Sequence, residues 1–204
     1  MYKIGITGSI GTGKTTIANI FAIFNIPIFN ADREIKKILR KKEIKQKLKN
    51  VWPLVIKKDH IDKLKLREII FSNNTEKKKL EKLLYPYLGI ELKKFEAINC
   101  KENILVYDVP LIYETKTEDR YDIIILAHCK KEIQRKRVLS RDRISNSLFD
   151  KILASQLSFN DKIKFKPQLI NTNYKFFMLI KVCLLLITTL IRLKSKNGKK
   201  KINT

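Results

Sequence analysis

The residues from Gly8 to Thr15 have the types and the spacing that bind a polyphosphate. They read GSIGTGKT and satisfy the pattern G-x-x-x-x-G-K-[S/T] at every position. Glycines let the backbone N–H groups of such a loop turn inward around phosphate oxygens, and the lysine adds a positive charge for the β and γ phosphates. The hydroxyl of Thr15 is a ligand suited to Mg²⁺. This phosphate loop therefore predicts a nucleoside triphosphate site formed by Gly8, Gly11, Thr12, Gly13, Lys14, Thr15 and Thr16.

Two acidic residues and a group of arginines could complete a site for phosphoryl transfer. Asp32 and Asp108 each follow an apolar run that predicts a strand. An aspartate at such a strand end can accept the proton of an attacking hydroxyl, which we expect of Asp32, or hold a Mg²⁺ ion, which we expect of Asp108 and Thr15. Arg137, Arg141 and Arg143 could close over the transferring group as a lid. Capping of a helix by Asp32 and a surface position for Arg137 and Arg143 are the structural alternatives.

The elements that must position these residues are those of an α/β domain. Apolar runs bounded by turn residues predict five strands, at 2–7, 26–30, 104–109, 122–128 and 168–170. Helical periodicity predicts helices at 14–24, from Asp32 to about Asn50, at 130–139 and at 148–160. The segment 51–99 has a helical pattern with no strand signal, which indicates a helical insertion on the substrate side of the sheet. We expect the carboxyl ends of the strands to meet at one edge, where ligands bind in such sheets.

Composition leaves the type of partner open. The chain has 204 residues, 44 Lys and Arg against 20 Asp and Glu, and a net charge of +24. Lysine is spread along nearly every predicted helix, which is typical of a compositional bias, and no nucleic-acid module is recognisable. Cys100, Cys129 and Cys183 are too few and too scattered for a disulfide framework or a zinc site. The chain begins directly with a core strand, so we expect no signal peptide and a cytoplasmic location.

The C-terminal segment is unusually apolar. Residues 176–191 contain one charge, Lys181, and a basic tail follows. The run is shorter than the roughly 20 residues of a membrane span, which favours a buried final helix packed on the sheet. Contact with an anionic lipid surface is the alternative, because the tail is strongly basic.

Taken together, these residues resemble the dephospho-CoA kinase family over Ile4 to Asn173. The resemblance runs through IGITGSIGTGKTTIANIF, FNADREIKKIL, LREIIF, LLYPYL, VYDVPLIYE, QRKRVLSRD, ILASQ and LINTN. It implies a three-layer P-loop kinase fold with a five-stranded parallel sheet. It further implies a core at 1–50 and 100–175, a helical CoA-binding cap at 51–99, a lid at about 137–160 and a C-terminal helix and tail at 175–204.

The same resemblance implies the reaction and the roles of the site residues. ATP would phosphorylate the 3′-hydroxyl of the ribose of dephospho-CoA to give coenzyme A and ADP, the final step of coenzyme A synthesis. Asp32 matches the family's proposed base and Arg141 its lid arginine, so Asp32, Lys14 and Arg141 are the expected catalytic residues, with Arg137 and Arg141 on the phosphates. Gln156 and Lys162 match a region near the nucleotide and the lid.

Three positions depart from the family pattern, and two other functions stay open. Asn30 replaces the first acid of an Asp-Ala-Asp stretch, Tyr85 replaces a histidine before Pro86, and Tyr174 replaces a glycine after Asn173. A nucleoside or nucleotide kinase of the same fold is one alternative. A basic protein that binds nucleic acid or a membrane surface in a nucleotide-dependent manner is the other.

Overall fold

The strand that carries the phosphate loop, β1 (Tyr2–Thr7), lies at the centre of a five-stranded sheet. The computed structural model describes residues 1–57 and 60–202, and their side chains as far as Ser195. The side chains of the basic tail beyond Ser195 lie outside the described residues. The other strands of this sheet are β2 (Ile28–Asn30), β5 (Ile104–Asp108), β6 (Ile123–His128) and β7 (Gln168–Asn171). All four pairings are parallel, in the order β2-β5-β1-β6-β7, which confirms the expected five-stranded parallel sheet.

Helices cover the sheet and form an additional lobe. Their bounds are α1 (Lys14–Ile23), α2 (Ala31–Ile38), α3 (Lys42–Val51), α4 (Lys63–Ser72), α5 (Asn74–Ile98), α6 (Lys131–Asp142), α7 (Asn146–Ala154), α8 (Phe159–Ile163) and α9 (Lys175–Ile202). Short 3₁₀ turns occupy Pro53–Val55 and Glu118–Arg120.

The sheet is buried on both faces, which gives the three layers. On one face, α1 and α9 pack over the alternating residues Ile4 and Ile6 of β1 and over Val106 of β5. On the other face, the C-terminal half of α5 packs through Leu92 and Phe95 on residues of β2 and β5. Burial on both faces explains why the strands are continuous apolar runs and do not alternate with polar residues.

The strand register brings the ends of three strands together. Asn30 of β2 is the partner of Asp108 of β5, and Ile6 of β1 is also the partner of Asp108. The phosphate loop leaves β1 immediately after this level. The carboxyl ends of β2, β5 and β1 therefore meet at one edge of the sheet, as expected.

The helical insertion contains one element that the sequence did not predict. Two short strands, β3 (Ile56–Lys57) and β4 (His60–Ile61), pair in antiparallel orientation, so the expectation of a segment without strands was wrong. Strands this short show no recognisable periodicity.

The cap has its own hydrophobic core, which extends before residue 51. Ile38, Ile44, Leu48, Leu66 and Leu84 are buried in one cluster. The single helix expected from Asp32 to Asn50 is in fact two helices, α2 and α3. On an unbroken helix Ile38 and Ile44 would face about 120° apart. The break lets both side chains enter the same core.

The lid segment is also divided differently from the prediction. The helix expected at 148–160 is interrupted after Ala154, and α8 begins at Phe159. Serines cap both pieces: the Ser145 hydroxyl accepts from the N–H of Leu148, and the Ser158 hydroxyl accepts from the N–H of Asp161. Val138, Leu148, Phe149 and Ile152 form a small core that joins α6 to α7.

The C-terminal helix packs on the domain along one stripe only. Met178, Val182 and Leu186 of α9 are buried against α1 and the sheet, so the helix does pack there as expected. However, the apolar stretch extends over Lys175–Ser195, which is long enough to cross a membrane, and only 22% of an 18-residue window within it is buried. The expectation of a buried helix is therefore right for one face and wrong for the rest.

Candidate active site

The phosphate loop is held in the conformation that its glycines allow. Gly8 has φ 146° and Gly13 has φ 90°, both in the region that residues with a Cβ rarely adopt. A Cβ on Gly11 would in addition collide with the side chain of Val138 on α6. The loop therefore needs glycine both for its backbone angles and for its close packing against α6.

Lys14 is folded back onto this loop. Its Nζ donates to the carbonyl oxygens of Gly8, at 2.8 Å, and of Ser9, at 3.1 Å. The side chain is buried, and this burial lowers the pKa of Lys14 against the opposing effect of the Asp108 and Asp32 charges. The ammonium group is thus poised at the loop, where a phosphate would replace the two carbonyl partners.

Asp108 lies beside the loop at the end of β5 and is 3% exposed. Its Oδ2 accepts hydrogen bonds from the Thr15 hydroxyl, at 2.9 Å, and from the Asn30 amide, at 2.6 Å. Burial raises the pKa of Asp108, although the Lys14 charge and these hydrogen bonds oppose the shift. The two residues expected to hold Mg²⁺, Thr15 and Asp108, are therefore in direct contact.

Asn30, and not Asp32, caps α2. The Asn30 carbonyl oxygen accepts from the N–H of Arg33 at 2.7 Å, while its amide reaches Asp108. The capping alternative for Asp32 was therefore wrong. The Asp32 side chain is exposed in the first turn of α2, and its charge acts on Lys14, Asp108 and Arg141. The Asp32 carboxylate thus lies within electrostatic range of the phosphate loop.

The lid arginines occupy two different environments. Arg137 donates to the hydroxyl and the carbonyl oxygen of Thr172, at 3.0 and 2.8 Å, and the Thr172 hydroxyl in turn donates to the carbonyl oxygen of Thr12 at 2.7 Å. Arg137 therefore stabilises the phosphate loop indirectly, through Thr172. Arg141 forms a two-point contact with Asp142, at 3.0 and 2.9 Å, and Arg143 ends α6 with φ 50°.

Positive charges from three elements act on Asp142, the last residue of α6. Burial pushes the pKa of Asp142 up, but the hydrogen bonds of Arg141 and the charges of Arg67 and Lys36 hold it below its usual value. Arg67 comes from α4 of the cap, Lys36 from α2 and Arg141 from α6. Three separate elements thus bring cations to one place.

Two glutamines fix the phosphate loop, and the sequence did not assign them this role. The Gln134 amide donates to the Ile10 carbonyl oxygen at 2.6 Å, and the Gln156 side chain accepts from the Ile10 N–H at 3.1 Å. Gln134 lies on α6 and Gln156 just after α7, so one loop residue is held from two elements. No local pattern indicates such contacts, because both partners are distant along the chain.

A buried ion pair lies next to Gln156. Lys162 is fully buried, and its Nζ is 2.9 Å from Oε1 of Glu114. The same Oε1 accepts from the N–H of Leu157 at 3.0 Å. The positive charge of Lys162 acts on Lys14, so Lys162 lies near the phosphate loop. The resemblance gave Lys162 the same region. Glu114 thus connects the loop after β5 to the lid segment.

A cleft of about 580 Å³ opens beside this pair. Its walls include Tyr113, Glu114, Gln156 and Phe165, with the rings of Tyr113 and Phe165 stacked at 4.4 Å. The cleft lies between the loop that follows β5 and the end of the lid, so both walls belong to the site's own elements.

Comparison with known proteins identifies the family. The family model described as dephospho-CoA kinase matches residues 2–176. This chain belongs to the dephospho-CoA kinase family. A dephospho-CoA kinase of Fusobacterium nucleatum is 31% identical over 172 residues, 83% of this chain and 89% of the relative. One of Prochlorococcus marinus is 34% identical over 180 residues, 84% of this chain and 87% of the relative.

Solved structures agree with the fold of this dephospho-CoA kinase family member. The dephospho-CoA kinase of Campylobacter jejuni is 27% identical and superposes with a TM-score of 0.62 over 92% of this chain and 96% of its own. A Thermus thermophilus protein superposes with a TM-score of 0.80 over 93% of this chain and 97% of its own, and at 23% identity it shows the fold alone. The expected three-layer P-loop kinase fold is confirmed. The chain is a kinase, and ATP is the phosphoryl donor that its family implies.

Proposed function

We propose that this chain transfers the γ-phosphoryl group of ATP to the 3′-hydroxyl of the ribose of dephospho-CoA, which gives coenzyme A and ADP. The observation that carries the proposal is the exposed Asp32 carboxylate within electrostatic reach of Lys14, at the edge where the phosphate loop and Asp108 meet. Membership of the dephospho-CoA kinase family supplies the acceptor. Neither a nucleoside acceptor nor a nucleic-acid partner gains support from the comparisons.

In the reaction, Asp32 acts as the general base. Its carboxylate takes the proton of the 3′-hydroxyl as the hydroxyl oxygen attacks the γ-phosphorus, and the bond from that phosphorus to the bridging oxygen of ADP breaks. Since Asn30 caps α2, the Asp32 carboxylate is free for this role. Lys14 turns from the Gly8 and Ser9 carbonyl oxygens to the phosphates and offsets the negative charge that develops there. Arg141 supplies further positive charge from the lid.

Thr15 and Asp108 would hold Mg²⁺. A hydroxyl and a carboxylate are hard oxygen ligands of the kind this ion prefers, and here they already lie 2.9 Å apart. The described residues hold no group of three or more acidic, His or Cys side chains that could bind a metal alone, and Mg²⁺ in kinases is shared with the phosphates. The ion would neutralise charge on the β and γ phosphates.

In this proposal the cap lies on the acceptor side of the active site. Dephospho-CoA is a polyanion through its pyrophosphate, and the cations Lys36, Arg67 and Arg141 converge at the rim between cap and lid. A cluster of this kind attracts phosphate groups. Gly8 to Thr16 would bind ATP on the opposite side, while phosphate contact by Arg137 and a cytoplasmic location stay predictions.

The test is ATP turnover with dephospho-CoA, beside a panel of nucleosides and nucleoside monophosphates. Asp32→Asn keeps the shape of the side chain and removes the base, so we expect kcat to fall by roughly 10² to 10⁴ with ATP affinity within about twofold. Glu34→Gln, on the same helix, is the matched control and should retain turnover. Phosphorylation of another acceptor, with none of dephospho-CoA, would contradict the proposed substrate. Full turnover by Asp32→Asn would place the base elsewhere.

A further inference from the structure

The C-terminal helix α9 has two opposite apolar faces, of which the domain uses one. Its inward stripe, Met178, Val182 and Leu186, recurs every fourth residue and is buried in the main core with Ile17 and Phe21 of α1. This stripe fixes the orientation of the helix on the domain. The remaining apolar side chains must then point away from the core.

The outward stripe is large and continuous. Its members, spaced by three or four residues and between 40% and 69% exposed, are Phe176, Ile180, Leu184, Ile187 and Ile191. Phe177, Leu179 and Leu190 are exposed beside them. Single exposed apolar residues are ordinary, but a contiguous face of this kind marks a surface that another apolar phase covers.

The charges that the C-terminal segment itself carries have one sign. Residues 174–204 include eight Lys and Arg and no Asp or Glu. Lys181 and Arg192 lie about three turns apart along the same flank of the helix, and both are exposed. The partner must therefore be apolar at its centre and negative around it.

A second copy of the chain fits this description poorly. A two-fold contact between α9 faces would bring the two sets of basic residues together, and the segment offers no acidic residue to pair with them. The net charge of +24 on each chain adds to this repulsion. Crossing a bilayer is also disfavoured, because the helix would have to withdraw Met178, Val182 and Leu186 from the core.

We propose that α9 is a membrane-surface anchor that lays its outward face on an anionic phospholipid bilayer while its inward stripe stays in the core. The apolar side chains enter the boundary between headgroups and acyl chains, and the exposed Lys181, Arg192 and Lys194 contact the negative headgroups. The helix starts just after β7, at the active-site edge, and runs back along the sheet. The anchor thus covers a face of the domain and leaves the catalytic edge open. This inference does not depend on the proposed acceptor.

The test is flotation of the full chain with vesicles of phosphatidylcholine alone, or with about one third phosphatidylglycerol. We expect binding to the anionic vesicles and its loss as salt rises. Ile180→Asp/Ile187→Asp should weaken binding roughly tenfold or more, because charges would enter the acyl boundary. Ile90→Asp/Ile98→Asp, on exposed positions of α5 across the sheet, is the matched control and should bind as the unaltered chain does. Equal kinase turnover and melting temperature of all variants show that the fold is retained.

A second pair of variants tests the charge. Lys181→Glu/Arg192→Glu should weaken binding at least about tenfold, whereas Lys49→Glu/Lys101→Glu, with the same change in net charge, should weaken it much less. Equal effects of the two pairs would contradict a localised anchor. Three other results would overturn the proposal: no binding to anionic vesicles, a dimer that Ile180→Asp/Ile187→Asp dissociates, or resistance to extraction by alkaline carbonate, which indicates a span.

Discussion

Asp108 is expected to hold Mg²⁺, but its charge lies in a buried position, which is unfavourable for a carboxylate. The carboxyl is almost fully buried, and burial raises its pKa. A raised pKa means that the folded chain holds the proton more tightly than the unfolded chain does, so ionisation at neutral pH lowers the free energy of unfolding. The residue is kept in spite of this effect, which is typical of functional sites.

Replacing Asp108 by Asn should separate stability from activity. The Asn carbonyl oxygen can still accept from Thr15 and Asn30, and the unfavourable charge is gone. We expect the melting temperature without nucleotide to stay equal or rise by about a few degrees, while turnover falls by roughly a hundredfold or more because a Mg²⁺ ligand is lost. Calorimetry with and without Mg·ATP measures both. A lower melting temperature without nucleotide would show that the Asp108 carboxylate stabilises the fold.

For single residues, the sequence predicted well which residue types belong to the site but predicted poorly the contacts that they make. The phosphate loop, Asp32 and Asp108 follow strand ends and were found from local pattern. The N-terminal capping of α2 by Asn30 could also have been predicted, because Asn is strongly preferred at the position before a helix. The hydrogen bonds of Gln134 and Gln156 to Ile10 could not have been predicted, since both glutamines lie more than a hundred residues from Ile10.

Among the elements, the connection of the lid to the loop after β5 depends on the Glu114 and Lys162 pair. Removing one partner of a buried pair leaves the other charge uncompensated, which costs roughly 3 to 5 kcal/mol. We expect Glu114→Gln and Lys162→Met each to destabilise by about this amount, and the double variant to recover much of it. Urea denaturation measures the four free energies of unfolding.

The exposed pair of Lys164 and Asp161 is the control for this cycle. Its charges are 2.7 Å apart but largely solvated, so Lys164→Met should cost less than about 1 kcal/mol. Additive effects of Glu114→Gln and Lys162→Met would mean that the two side chains do not stabilise each other.

Element boundaries show why periodicity alone was insufficient. The break between α2 and α3 follows from the need to bury Ile38 and Ile44 together, which is a property of the cap core and not of the local sequence. The paired strands β3 and β4 are too short to leave a pattern. For α9 the apolar run was recognised, but which side chains face the core depends on where α1 and β7 lie.

For the molecule as a whole, the family match ends at residue 176 while the core continues into α9. A chain that ends after Tyr174 would expose Ile17, Phe21 and Ile170 and lose the three buried apolar side chains of α9, Met178, Val182 and Leu186. At about 1.5 to 3 kcal/mol for each of these three, the loss is roughly 5 to 9 kcal/mol, comparable with the stability of a whole domain.

We therefore expect the chain truncated after Tyr174 to be unfolded or insoluble, although it spans nearly all of the family match. A chain that ends after Ser195 keeps all the side chains of α9 that the structure describes, including Met178, Val182 and Leu186, and should melt at the same temperature as the full chain. Circular dichroism during heating compares them. If the chain truncated after Tyr174 unfolded cooperatively with an unchanged midpoint, α9 would contribute nothing to the core.

One helix belongs to two parts of the molecule at once. The first half of α5 carries Leu80 and Leu84 of the cap core, and its second half carries Leu92 and Phe95 on the sheet. α5 thus connects the cap to the sheet, and Pro86 lies within this helix between its two halves.

A proline removes one backbone hydrogen bond and is a common cause of a helix kink. The lid is joined to the same lobe, because α7 packs on α4 of the cap and the Lys151 Nζ donates to the Ser72 hydroxyl at 3.2 Å. The cap and the lid are therefore coupled, and a change in the bend of α5 at Pro86 would displace both.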